Sequence, residues 1–283
     1  MASLALLTFI IAVLVYLIAP FVWIVPHKKY HRAATRLIQY LPVFWAGGIK
    51  LILNLTMKSK FDIQGPSNLL KNKSYILVCN HRSWIDILLL NYAFYNKVPT
   101  LRFFMKKELL WTLPLGGLAA WLLGYPFMER HTSAQIRKNP GLKNKDIKTT
   151  QKACQRFILY PATIMNYIEG TRFTEKKKEQ KGSPYQHLLK PKAGGIAIVL
   201  NEMPHHLAGF IDATIAYRPD TVSFWQFCCG HFTQVACHYQ VLPIETNMLG
   251  DYNHDRQFRI DFQNWLNQLW EQKDRQLTKL LMK

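Results

Sequence analysis

The chain has 283 residues, 49% of them hydrophobic, and sets 36 Lys and Arg against 17 Asp and Glu for a formal net charge of +19. That length holds one domain with a full core or two small ones, and no Gly, Ser or Pro linker, internal repeat or low-complexity segment divides it, which argues against a multidomain or repeat protein. The basic surplus calls for an anionic partner, whether nucleic acid, an anionic membrane surface or a phosphorylated substrate, and charge alone does not choose among the three.

The N-terminus does choose. Residues 2–25 carry no charged side chain and, as a helix rising ~1.5 Å per residue, measure about 36 Å, enough to cross a bilayer core of roughly 30 Å. No basic residue precedes the apolar run and no small-x-small site follows it, as a cleaved signal peptide requires. His27, Lys28, Lys29, His31 and Arg32 follow instead. The positive-inside rule keeps that cluster cytoplasmic, with the short N-terminus outside and the catalytic portion within the cell, at the inner membrane in a bacterium. Five cysteines without regular spacing agree with reduced thiols. Residues 35–57 are largely apolar but include Arg36, Gly47, Gly48 and Lys50, a pattern that predicts a helix lying in or dipping into the interface in preference to a second clean span. The expected organisation is a membrane-anchoring part over residues 1–57 and a catalytic domain over residues 58–283.

Short β-rich runs follow at residues 61–64, 75–79, 101–105, 125–128, 163–168, 210–217 and 233–242, with helical or loop sequence between most of them. They predict an α/β fold with a mostly parallel central sheet flanked by helices. Residues 109–127, with Trp111, Pro114, Gly116, Gly117 and Trp121 among leucines and alanines, predict a buried helix and turn. Near the C-terminus Phe258, Phe262, Trp265, Leu266, Leu269, Leu277, Leu280 and Leu281 recur at helical spacing, which predicts a long amphipathic helix packed on the core.

Chemistry enters at Asn80, His81, Arg82, Ser83, Trp84, Ile85, Asp86, just after a strand-like run. An imidazole is the side chain best suited to take a hydroxyl proton near neutral pH, and a carboxylate on its other nitrogen fixes tautomer and orientation. His81 is the candidate base and Asp86 its partner, placed in the first turn of a helix that begins near Ser83. The competing explanation is a capping Asp and a surface His. Further on stand Glu169, Gly170, Thr171 and Arg172, where an arginine fork grips a phosphate, Gly170 lets backbone approach a ligand, Thr171 donates a hydroxyl and Glu169 orients Arg172. Lys107 and Arg130 are further candidate phosphate ligands. An ordinary turn and solvated charges compete with each of these. Cys228, Cys229, His231, Cys237 and His238 include vicinal cysteines and a C-x7-C spacing that fit no standard zinc site, so a reduced hairpin and no metal are expected. Residues 172–192 hold seven Lys or Arg against Glu175 and Glu179, a run expected to be solvated or to rest on anionic headgroups.

Four strings in order, NHRSWID, the Lys107-Glu108-Leu109 segment, GYPFMER and EGTR, resemble the glycerolipid acyltransferase family across residues 61–217. Its members move a fatty acyl group from a thioester to a hydroxyl of a glycerol phosphate. The resemblance implies a catalytic dyad at His81 and Asp86 and acceptor phosphate binding by Arg130 and Arg172, while Glu169 on its own chemistry could orient Arg172 or the glycerol hydroxyl. LLKPKAGGIAIVL and DATIAY look like the branch of lysocardiolipin and related lysophospholipid acyltransferases. In lysophosphatidate enzymes the fourth motif is an apolar strand ending in proline, and residues 207–217 contain none.

The resulting expectation is a membrane-bound O-acyltransferase. It uses acyl-CoA or acyl-carrier protein as donor and a lysophospholipid as acceptor, 1-acylglycerol-3-phosphate foremost, with membrane lipids as partners and no cofactor beyond the donor. The alternatives are a lysophospholipid hydrolase using the same pair on water and a non-enzymatic basic membrane binder. For nucleic acid there is no recognition motif, and the anchor argues against it.

Overall fold

A computed structural model describes residues 2–24, 28–57, 60–113, 115–129, 138–139, 141–218, 220, 223–229, 231 and 234–282. The chain begins with α1 (Ala2–Ile24) and α2 (Lys28–Thr56). There follow β1 (Lys60–Gln64), β2 (Ser74–Cys79), α3 (Ile85–Phe94), β3 (Leu101–Phe103), β4 (Met105–Lys106), α4 (Leu109–Thr112), α5 (Gly116–Leu122) and β5 (Phe127–Met128). The remainder is α6 (Gly141–Leu159), β6 (Thr163–Asn166), α7 (Glu175–Gln180), α8 (Gly194–Glu202), β7 (Leu207–Arg218), α9 (Phe224–Cys228), β8 (Gln234–Leu242) and α10 (Arg256–Met282).

Six strands form one sheet in the order β1-β8-β7-β2-β6-β3, parallel throughout except for the antiparallel β7–β8 pair. β4 and β5 make a separate two-stranded parallel sheet. β2 lies near the middle of the large sheet, and all six of its residues are buried, as an apolar run covered on both faces must be. One face carries a core shared by Leu77, Ile211 and Ile215 of the sheet with Leu89 and Phe94 of α3 and Leu4, Ile49 and Leu53 of the N-terminal helices. The other face packs Ile76, Val78 and Phe210 against Phe157 of α6, Leu200 of α8 and Phe262, Leu266 and Trp270 of α10. The predicted α/β architecture and the C-terminal helix are present, and α10 adds an ion pair: buried Lys273 meets Asp212 of β7 at 2.6 Å.

Several expectations are revised. The run at residues 101–105 splits at Phe104, whose N–H bonds Met165 O, so Met105 leaves the large sheet to pair with Phe127. Residues 35–56 belong to one uninterrupted helix antiparallel to α1, with Leu7 packed over Gly48 and Thr8 Oγ1 accepting from Trp45 Nε1 at 3.1 Å. Both helices are long and apolar enough to cross a membrane. The charges that argued against such a helix turn toward the domain: Lys50 Nζ stands 5.6 Å and 5.7 Å from the ring centres of Tyr92 and Tyr95, a cation–π arrangement. α1 does not stand apart from the domain as a lone spanning helix would. Leu4 joins the main core, and Ala12, Val15 and Ala19 pack with Ile38 and Leu41 of α2 and Ala119 and Leu123 at α5.

The segment at residues 109–127 is not buried. It forms the short α4 and α5, and Trp111 is 80% exposed, with Leu113, Leu115, Leu118 and Trp121 also exposed beside α1. The helical run is broken between Thr112 and Gly116, and one face, with Ala119 and Leu123, reaches the core while the other is exposed. Around the cysteines, residues 224–228 are helical, so the segment is a helix and strand, not a hairpin. Cys237 is buried, Cys229 is exposed, and His238 Nε2 meets Asp62 Oδ2 at 2.9 Å. Among the described residues no three His, Cys, Asp or Glu side chains converge as a metal site.

Candidate active site

The site lies where β2 and β6 end, at the carboxyl edge of the parallel strands, where open α/β sheets form their crevices. Asn80 holds this edge in place. Fully buried, it donates from Nδ2 to Ile215 O and accepts from Ile215 N–H at Oδ1, both at 2.8 Å, so its amide continues the β2–β7 ladder past the last strand residue. The next residue, His81, therefore leaves the sheet at a fixed point.

Asp86, fully buried at the start of α3, folds back over the turn. Its Oδ2 accepts from Arg82 N–H at 2.8 Å and Ser83 N–H at 3.0 Å and lies 2.7 Å from His81 Nδ1. The Tyr217 hydroxyl donates to the other oxygen, Oδ1. Burial first and the Asp86 charge second push Tyr217 well above the ordinary phenol range, so it keeps its proton and remains a donor. With every contact of Asp86 a donor, the network assigns the proton of His81 to Nδ1 and leaves Nε2 as the acceptor. The ring is fixed a second way, stacked on Tyr167 with centroids 3.9 Å apart and planes 13° apart. His81 keeps 17% of its side-chain surface exposed, enough for Nε2 to meet a ligand. His81 and Asp86 are thus brought together as the spacing anticipates.

The second string closes around the first. Phe173 N–H donates to His81 O at 2.7 Å. Gly170 takes φ +72° with its N–H on Tyr167 O at 2.8 Å, turning the chain back toward His81 in a conformation that side chains resist. Exposed Arg172 lies 4.9 Å from the ring centre of Trp84, beside the turn that carries His81. Thr171 Oγ1 accepts from Lys177 Nζ at 3.0 Å, and the same ammonium reaches Arg172 O at 3.0 Å.

Glu169 has a different place from the one expected. It is 1% exposed and faces neither Arg172 nor the opening. Instead Oε1 accepts from His81 N–H and Oε2 from Leu189 N–H, each at 2.9 Å. It ties the His81 turn to the segment before α8. Burial pushes its carboxyl up to about 8, against the pull of those two N–H groups. Lys107 also differs: its ammonium is 2.6 Å from Glu129 Oε1, which Lys145 meets at the same distance. Hydrogen bonds from the two lysines hold Glu129 down at about 2. Arg130 lies outside the described residues.

Three contributors escape a reading of local sequence. Tyr217, Tyr167 and Lys177 reach the site through the fold, and only Lys177 sits in a stretch, the basic run after Arg172, that marks it at all. Its ammonium is pulled below the usual lysine range by burial, then by Arg172, Lys181 and Lys106.

The site thus joins a buried carboxylate that orients an imidazole to the cations Arg172 and Lys177. The Acyltransferase family model matches residues 60–218, more than half of the chain, and the chain belongs to that family. Among solved structures, the crystal structure of the 1-acyl-sn-glycerophosphate (LPA) acyltransferase PlsC from Thermotoga maritima is 15% identical, with 97% of this chain and 95% of that chain covered and a TM-score of 0.48. No curated protein sequence matches significantly.

Proposed function

We propose that this acyltransferase moves a fatty acyl group from an acyl-CoA or acyl-carrier-protein thioester to the free hydroxyl of a lysophospholipid, 1-acylglycerol-3-phosphate foremost. The observation that carries this is the His81–Asp86 pair at 2.7 Å beside the Arg172 and Lys177 rim. The acceptor hydroxyl gives its proton to His81 Nε2 while its oxygen attacks the thioester carbonyl. Asp86 offsets the charge that forms on the imidazolium. Collapse of the tetrahedral intermediate expels the thiolate, which recovers the proton from His81, and no acyl-enzyme forms. Arg172 presents a fork to the acceptor phosphate, and Lys177 braces its backbone.

The membrane supplies the acceptor. The outer flank of α1 exposes Leu6, Phe9, Leu14, Leu17 and Phe21, α2 exposes Leu37, Tyr40 and Phe44, and Trp111 and Trp121 extend this surface. The helical pair enters the bilayer by that flank while the opposite flank keeps the catalytic domain along its length. By the positive-inside rule, the basic residues that follow the first apolar run in the sequence assign the catalytic domain to the cytoplasmic side.

The test is a thioester assay with and without lysophospholipid, on the wild type and on His81→Ala. Thiol release and diacyl product that both require acceptor, falling by ~10² to 10⁴-fold in the variant, support the proposal. Fatty acid freed from the lysophospholipid without thiol release makes the protein a lysophospholipid hydrolase, and neither thiol nor fatty acid released makes it a binder. Arg172→Ala then separates binding from chemistry: acceptor KM rises with kcat little changed, and Arg172→Lys recovers only part. A rise in donor KM alone assigns Arg172 to the donor.

A further inference from the structure

A cleft of about 470 Å³ opens between α2 and the far end of the sheet. Lys71 and Asn72 on its wall precede β2, whereas His81 follows β2, so a strand roughly 17 Å long separates cleft from candidate active site. Arg36, Lys71 and Arg102 line it, and no Asp or Glu does. Arg102 is 3% exposed. Its Nη2 donates to Gln39 Oε1, its guanidinium lies 4.9 Å from the Tyr125 ring centre, and Nη1 makes no hydrogen bond. Gln39, also on the wall, has its Nε2 unpaired.

All 17 acidic side chains of the chain belong to described residues, and none pairs with Arg102. A guanidinium does not shed its charge, and a buried one without a counterion is costly. A second guanidinium sharpens this: Arg156, on α6 one turn before the cleft residue Tyr160, is pulled down by burial first and by Arg102 second. Two unpaired donors and a cluster of cations without a carboxylate leave the counter-charge to a ligand. Asn72, Asn91, Asn96 and Thr100 add neutral polar groups, and Val43 and Ala46 of α2 with Phe94, Val98 and Leu101 give the wall an apolar part that continues to exposed Phe44 on the flank assigned to the bilayer.

We propose that this cleft binds the phosphate headgroup of an anionic phospholipid, with Arg36, Lys71 and Arg102 as its cationic wall, Gln39 as a neutral donor, and α2 against the acyl chains. The shared chemistry is a phosphate on an apolar body, and the bilayer is its source. The site is separate from the acceptor site. It rests on the membrane placement above and on no step of acyl transfer.

The experiment uses full-length His81→Ala protein in detergent, so that turnover plays no part. The protein is exchanged against an equal mixture of phosphatidylglycerol and phosphatidylcholine and weighed by native mass spectrometry. One retained phosphatidylglycerol is expected, reduced roughly tenfold or more when Arg36→Ala and Lys71→Ala are added, since two charge-assisted contacts are lost. Both substituted positions lie at the cleft mouth, outside the buried Arg102–Gln39 contact, and matching circular dichroism spectra check that the fold survives. Retention unchanged in the added variant, or phosphatidylcholine held equally well, overturns the proposal. Displacement of the lipid by inorganic phosphate at equal concentration overturns the lipid as its occupant in favour of a soluble phosphate. An inactive wild type that still holds the lipid refutes the transfer reaction alone.

Discussion

Tyr217 closes the chain of contacts behind His81, and its removal predicts a specific change in pH behaviour. Without the hydroxyl on Oδ1, the Asp86 charge is less neutralised and pulls harder on His81 Nδ1–H, which stabilises the imidazolium. Tyr217→Phe therefore moves the acidic limb of the kcat/KM profile to higher pH and lowers the rate at neutral pH, with acceptor KM little affected. A profile superimposable on wild type refutes the role. Glu169 yields a stability prediction. Its carboxyl rises from an ordinary value near 4.5 to about 8, so between those values the native state holds a proton that the unfolded chain has released. Its contribution is present below about 4.5 and is lost as pH climbs toward 8. Glu169→Gln removes this dependence and leaves one backbone N–H facing an amide NH2, at a cost of ~1–3 kcal/mol. Denaturant unfolding should show a variant less stable than wild type at pH 5, with the gap narrower at pH 8.5. A gap independent of pH contradicts the prediction.

At the scale of elements, legibility followed sequence distance. His81 and Asp86 sit five positions apart, a spacing that one tight turn converts into contact, so the pair was visible in the string itself. Tyr217 reaches Asp86 across 131 positions and Glu169 reaches His81 across 88, and strand pairing, not local pattern, sets both contacts. For the same reason β2, a buried central strand, was legible from its apolar run, whereas β3 and β4 read as one strand because the transfer of Met105 to Phe127 depends on a partner more than 20 residues away. In α2 the partners of Gly47, Gly48 and Lys50 were not legible: Gly48 meets Leu7 of α1, and Gly47 and Lys50 meet Tyr95, just past α3. A Cβ on Gly47 would stand 2.8 Å from Tyr95 Oη and 3.0 Å from Cζ. Gly47→Val should push α2 off α3 and cost ~1–3 kcal/mol, read as a lower thermal midpoint in detergent, while Leu51→Val on the exposed side of the helix changes little. Equal midpoints for the two variants refute the close approach.

For the molecule as a whole, the two N-terminal helices and the sheet share one core through Leu4, Ile49 and Leu53. Removing residues 2–24 takes away Leu4 and Leu7 while leaving every formal charge in place. The truncated protein should unfold at a lower temperature, yet still adsorb to anionic vesicles at low salt and leave them at high salt, as surface charge attraction is screened. A monomeric, vesicle-free protein with the wild-type midpoint contradicts this. The shared core also imposes an order in time. Leu4, Ile49 and Leu53 are synthesised first, but Ile211 and Ile215, of the same cluster, follow only after about 160 more residues, roughly 10–30 s at ribosomal speed. Through that interval the apolar flank of the helical pair has no sheet to pack on, so under the proposed membrane placement the nascent chain meets the bilayer before its sheet exists, and the sheet completes itself against helices already in place.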